Sequence, residues 1–206
     1  MSKKSILVSI ASLLVGGLVI GLPASAMASD LERVGPPTMT AAVQELPDVL
    51  TDEQMDELTS DMQNLNEGPL VFEAPGSPRV QAKAVTPLCT QDTGRIWKRT
   101  SGSIHKYGTI GGKPSITCNT NVTALSLSTT LYIKTMFGWG KVAGPFNSAN
   151  AGVKKLEQKQ VEYACKKASP YNHFRMVANG SVTYPGLKPI AGGAYSETDG
   201  GGLPCS

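Results

Sequence analysis

The sequence predicts an all-β fold: an antiparallel β-sandwich or barrel with two disulfides, preceded by a signal peptide and an acidic, partly helical segment. Three observations carry that prediction. Short apolar runs alternate with polar residues at a period of two. Gly, Pro and Asn punctuate the runs. Four cysteines, an even number, all lie at or after Cys89 in the 206-residue chain. The expected organisation is a signal peptide over residues 1–28, an acidic pro-segment or linker over 29–84 with a helix near 52–65, and a basic, disulfide-stabilised β domain over 85–206.

At the N-terminus, Lys3 and Lys4 precede an apolar run over residues 6–22, and Ala24-Ser25-Ala26 or Ala26-Met27-Ala28 offers a small-residue cleavage site. An uncut membrane anchor is the competing reading. It is disfavoured because the run falls just short of the ~18 residues a spanning helix needs. Gly16, Gly17 and Gly21 also interrupt the run, and Pro23 follows it. The expectation is a secreted, extracellular product.

The net charge of +3 conceals two opposed halves. Residues 30–75 carry eleven acids and one base, Arg33, whereas residues 89–206 carry fourteen bases and five acids. Phe72 is the only aromatic residue before Cys89. Low aromatic content and high charge argue against an independent core in the first half. One helix is nevertheless predicted there. Thr51 and Gln54 form a capping box, Asp52 and Glu53 sit in the first turn, and Met55, Leu58, Met62 and Leu65 follow at helical spacing. Asn66 and Gly68 can end it. Three roles are open to such a helix: a spacer, a pro-region docked on the basic domain, or a leader read by a processing enzyme. Pro75 and Pro78 mark a linker, with Arg79 or Lys83 as a cut site, and the folded domain is expected to start near Val85.

Within the β domain, residues 95–100 and 103–110 read as a strand pair around Ser101-Gly102, followed by a turn at Gly111-Gly112. The stretch 115–142 holds the clearest alternation. Leu125, Leu127, Thr129, Leu131 and Ile133 share one face, and Ser126, Ser128, Thr130, Tyr132 and Lys134 the other. A following strand is expected to pass through Val142 and end at Gly144-Pro145. Residues 151–167 are ambiguous, with a strand favoured over 159–167 after a loop or short helix. Residues 174–184 read as a hairpin turning at Asn179-Gly180, the pair a type I′ turn prefers. The Gly-rich tail needs Cys205 to hold it.

Cys89, Cys118, Cys165 and Cys205 lack the CxxC spacing of metal sites, and disulfides are the expectation in an oxidising compartment. Three connectivities are open. Cys89–Cys118 with Cys165–Cys205 is favoured because each bridge ties down a loosely held end; the rival, Cys118–Cys165, would staple two core strands. Loops of 29 and 40 residues would each contribute about 3–4 kcal/mol in the chain-entropy picture. No cofactor or metal is expected.

Few groups can carry acid–base chemistry. Glu157 or Glu162 with His173 and Arg175 has the composition of a small secreted ribonuclease site, yet its spacing is not diagnostic. No GxSxG or HExxH motif occurs, and Asp199-Gly200-Gly201-Gly202 has no following helix to make a phosphate loop. The candidate binding residues are Tyr132, Lys134, Phe137, Trp139 and Lys141, with Phe146 nearby. Aromatics on a rim can stack on sugars or bases, and lysines favour anionic polymers. The competing reading places Phe137 and Trp139 in the core. Lys154-Lys155 and Lys166-Lys167 read as solvated edges that add to attraction for anionic partners.

Cys89, Cys118, Thr129-Thr130-Leu131-Tyr132, Gly138-Trp139, Cys165 and a near-terminal Cys205 occur in an order that resembles small secreted four-cysteine proteins of Gram-positive bacteria, particularly actinobacteria. The resemblance covers residues 89–206 and implies no functional residues. The expected function is a secreted, non-enzymatic binding domain acting at or near a cell envelope. Its expected partners are an anionic cell-wall polymer or membrane surface and its own acidic pro-segment; no specific nucleic acid is expected. The alternatives are a cationic antimicrobial or toxin-like protein masked by its acidic segment, a proteinase inhibitor, and a small basic nuclease.

Overall fold

In the computed structural model of the chain, residues 46–75, 88–100 and 104–206 are described. The signal peptide expected over 1–28, the cut sites at Arg79 and Lys83, and the Ser101-Gly102 turn lie outside them.

The acidic stretch contributes β1 (Val49–Leu50), α1 (Asp52–Ser60), β2 (Gln63–Asn64) and β3 (Leu70–Glu73). The capping box forms as expected: the Gln54 amide donates to Thr51 Oγ1 at 3.2 Å, and the Thr51 amide donates to Gln54 Oε1 at 2.9 Å. The helix stops at Ser60 rather than near residue 65, because the chain is drawn into a sheet. Met62 N donates to Thr59 O in a closing turn, Gln63–Asn64 then pairs with a strand, and Leu65 N donates to Tyr195 O at 2.9 Å.

The remaining strands are β4 (Leu88–Asp92), β5 (Trp97–Arg99), β6 (Thr109–Gly112), β7 (Ser115–Cys118), β8 (Ala124–Thr135), β9 (Gly138–Ala151), β10 (Lys155–Glu157), β11 (Val161–Ala164), β12 (Ser169–Asn172), β13 (Phe174–Thr183), β14 (Ile190–Glu197) and β15 (Leu203–Cys205). They form a large sheet in the order β1-β9-β8-β13-β14-β2 and smaller sheets β10-β7-β4-β3, β11-β6-β5 and β12-β15. The fold is mostly β, with antiparallel sheets and two disulfides; the short β2–β14 pairing is parallel.

One face of the large sheet packs on the smaller sheets. Leu125, Leu127, Ala178 and Val182 meet Phe72, Cys89, Ile116 and Leu156, while Leu131, Phe174 and Met176 meet Ile110, Val161 and Cys165. The alternation read along β8 is what turns Leu125, Leu127 and Leu131 into this core. The opposite face is covered at one end by the acidic stretch, where Leu46, Leu50 and Met55 pack on Tyr132, Trp139 and Val177. Sheets therefore recruit residues 46–75 as well as 88–206, and the folded unit reaches N-terminal to the boundary expected near Val85.

Several local expectations are corrected. Asn179-Gly180 is not a turn but the middle of β13, paired on both sides with β8 and β14. Gly180 is needed there because a Cβ would run into the buried Gln91 side chain, whose Nε2 donates to Ala178 O at 2.8 Å. The chain reverses instead at Tyr184-Pro185-Gly186-Leu187. Leu187 N donates to Tyr184 O at 3.1 Å and Gly186 has φ +73°, as a type II turn with Pro before Gly requires. Gly111-Gly112 lies within β6. The stretch 115–142 is divided: Asn119 ends β7, its Oδ1 accepting from Leu88 N at 3.0 Å, before β8 starts in another sheet. Strand β9 passes through Gly144-Pro145 to Ala151, with a register shift opposite Thr129–Leu131. The favoured strand over 159–167 is shorter, Val161–Ala164, and strand β10 stands where a loop or helix was expected.

Both disulfides join the favoured pairs. Cys89 and Cys118 are direct cross-strand partners on β4 and β7, and Cys165–Cys205 ties the C-terminal strand beside Ile110 and Phe174.

Candidate functional site

The second face of the large sheet gathers most of the candidate residues, because strand pairing sets them in rows. Lys141, Tyr132, Arg175 and Glu197 are successive partners across β9, β8, β13 and β14. Lys134 and Trp139 face each other in the next row towards the β8–β9 hairpin. On the other side of the central row, Thr130, Val177 and Tyr195 are partners. Same-face side chains two residues apart on neighbouring strands are within mutual reach, so the rows make one surface.

Arg175 is the centre of it. Its guanidinium lies 4.8 Å from the Trp139 ring centroid and 5.0 Å from that of Tyr195. It pairs with Glu197, and Nη1 donates to Thr59 Oγ1 at 3.2 Å and approaches Asp56 at 3.5 Å. The Lys134 ammonium is 5.0 Å from the Trp139 ring centroid and pairs with Asp52; Lys141 pairs with Asp48 and donates to Leu46 O at 3.4 Å. Tyr132 is fully buried beneath the acidic stretch, and its hydroxyl donates to Pro47 O at 3.2 Å. Burial, and next to it the Asp48 charge, push its hydroxyl pKa up to about 12.

Four of the five candidates thus share one face, and the acidic stretch lies over it. Trp139 is only 5% exposed. Phe137 differs: it sits with Met136 at the hairpin tip, and the two are 80% and 87% exposed. Gly138, at φ +115°, closes that tip where Leu50 O passes too near for any Cβ. Phe146 does not join the cluster. It is the partner of Thr129 and packs with Leu131 and Phe174 on the opposite face.

The acid–base constellation is not assembled. Glu157 pairs with Lys155 at 3.0 Å, and that hydrogen-bonded lysine lowers its pKa. Glu162 pairs with Arg99 at 3.4 Å in a different small sheet, and Arg175 is turned to the far face of the large one. His173 is exposed just before β13. Lys154-Lys155 and Lys166-Lys167 are solvent-exposed. Among the described residues no group of His, Cys, Asp and Glu is arranged to hold a metal ion, and no helix is long and apolar enough to cross a membrane.

Arg175 was read from the sequence only as an acid–base candidate, and Tyr195 not at all. Alternation of Arg175 with Met176 along β13 is the signal that sets it opposite the core; nothing around Tyr195 in Gly-Gly-Ala-Tyr distinguishes it.

No protein-family model, curated protein or solved structure matches this chain.

Proposed function

We propose that this is a secreted, non-enzymatic binding domain that acts at or near a cell envelope, engaging an anionic surface from the hairpin end of its large sheet. The observation that carries the reading is the exposed apolar tip, Met136-Phe137, with the half-buried Lys134 and Lys141 on the sheet face directly behind it, where Asp52 and Asp48 of the acidic stretch pair with them. Apolar tips backed by lysines suit surfaces that offer both charge and something to stack on or insert into. The two disulfides fit an extracellular setting.

Co-sedimentation with purified cell walls tests the reading. The protein is expected in the pellet at low salt and in the supernatant at high salt, since exposed charges are screened beyond about 10 Å at 0.1 M. The double variant Met136→Ser/Phe137→Ser should bind more weakly while unfolding as the parent does. Absence from the pellet at low salt overturns the proposal. A masked cationic antimicrobial or toxin-like protein is the second reading, favoured by the acidic stretch lying on the cationic face.

A further inference from the structure

The carboxylates over this face are matched to its cations one to one. Asp48 meets Lys141, Asp52 meets Lys134, and Asp56 meets Arg175. The three aspartates recur every fourth residue along one continuous stretch. They remain exposed themselves, whereas Arg175 is buried and the two lysines are half-buried. With their carboxylates open to solvent, the two lysine pairs stabilise the fold by only about 0–1 kcal/mol each. Apolar contacts of Leu46, Leu50 and Met55 hold the stretch in place, together with the two-residue pairing of β1 on β9. The charge matching is therefore not what the fold rests on. Without residues 46–60 the face presents three cations against one carboxylate, Glu197, around three aromatic rings, Tyr132, Trp139 and Tyr195; Arg175 keeps Nε and Nη2 on Glu197 and frees Nη1, which otherwise meets Asp56 and Thr59, for an anion.

We infer that this sheet face recognises a linear, phosphate-rich polyanion, and that residues 46–60 occupy the site as an intramolecular competitor. The inference rests on the envelope-binding reading and specifies its ligand chemistry and its regulation. The acidic stretch lays its carboxylates where successive phosphates of the polymer would lie, so polymer and stretch exclude each other. Binding lifts β1 and α1 while β2 and β3 stay paired in their sheets.

Long-chain inorganic polyphosphate is the probe, with binding measured on the full chain at low salt. Asp48→Asn/Asp52→Asn/Asp56→Asn should tighten binding about tenfold or more, within the range of ordinary coupling between sites. Glu53→Gln/Glu57→Gln/Asp61→Asn removes the same charge from exposed carboxylates that meet none of the three cations, and should tighten it far less. Adding Lys134→Gln/Lys141→Gln to the first variant should abolish the gain. In the unaltered protein, polyphosphate should accelerate amide exchange over residues 52–60 and leave β13 protected. Equal gains in the two triple variants, or unchanged exchange at saturation, overturn the competition and leave the binding reading standing. Polyphosphate that binds no variant, while anionic vesicles do, overturns the polymer assignment. Binding that ignores Lys134 and Lys141 overturns the face as the site.

Discussion

The two faces of the large sheet are covered in different ways. Towards the smaller sheets, Leu125, Leu127, Leu131, Phe174, Met176 and Val182 are buried against strands held by two disulfides. Towards the acidic stretch, three buried apolar side chains, one nine-residue helix and a set of ion pairs make the cover. A cover made of few apolar contacts and exposed charges opens at lower free energy than the core it protects. The contrast teaches that one sheet can carry a permanent core on one side and a removable lid on the other.

The largest effect should come from breaking the permanent side. Phe174→Ala removes a fully buried ring and should cost about 3–5 kcal/mol of global stability, read from the shift in denaturant midpoint. If the loss is confined to the acidic stretch, the two faces are not independent in the way described.

Next comes pH. Folded Tyr132 keeps its proton up to about 12, whereas in the unfolded chain it is lost near 10. Between those values the folded state binds the extra proton. The contribution is therefore complete below about pH 10 and lost as pH rises through about 12, a change of roughly 2–3 kcal/mol. Burial moves Tyr184, on the permanent side, in the same direction. Denaturation curves from about pH 9 to 12 on the parent and on Tyr132→Phe separate the two, and the difference should report on the lid.

The smallest effect is Thr51→Ala, which removes the helix cap and should cost about 1 kcal/mol. It should appear as faster amide exchange across Asp52–Ser60 with little change in β13. A matching loss of protection in β13 would mean that lid and core open together.

Much of this was legible where local chemistry and tertiary context agree. The Thr51 cap, the alternation along β8 and the choice of disulfide partners needed only neighbouring residues or simple reach. Asn179-Gly180 failed because pairing on both sides and burial under Gln91 outweigh a turn preference. The actual reversal, Pro185-Gly186, carried an equally good signal. The structural part played by residues 46–75 was hidden because its buried residues are few and scattered. Leu46 before β1, Leu50 in β1, Met55 in α1 and Phe72 in β3 make no periodic stripe among eleven acids. Candidate residues on alternate positions of β8 and β9 were readable as a face; what lay on that face was not.

The strand order holds one more consequence. Strands β1 and β2, two residues each, sit at opposite margins of the large sheet, and α1 runs between them. Strands β9 and β14, of fourteen and eight residues, would otherwise end the sheet at those margins. Unpaired backbone along a sheet margin is a template for adding another chain's strand, the usual route to ordered aggregation. The acidic stretch therefore serves as a bumper at both rims, its short strands occupying hydrogen-bonding positions that a second molecule would use. Resistance to edge-to-edge association depends on keeping it in place.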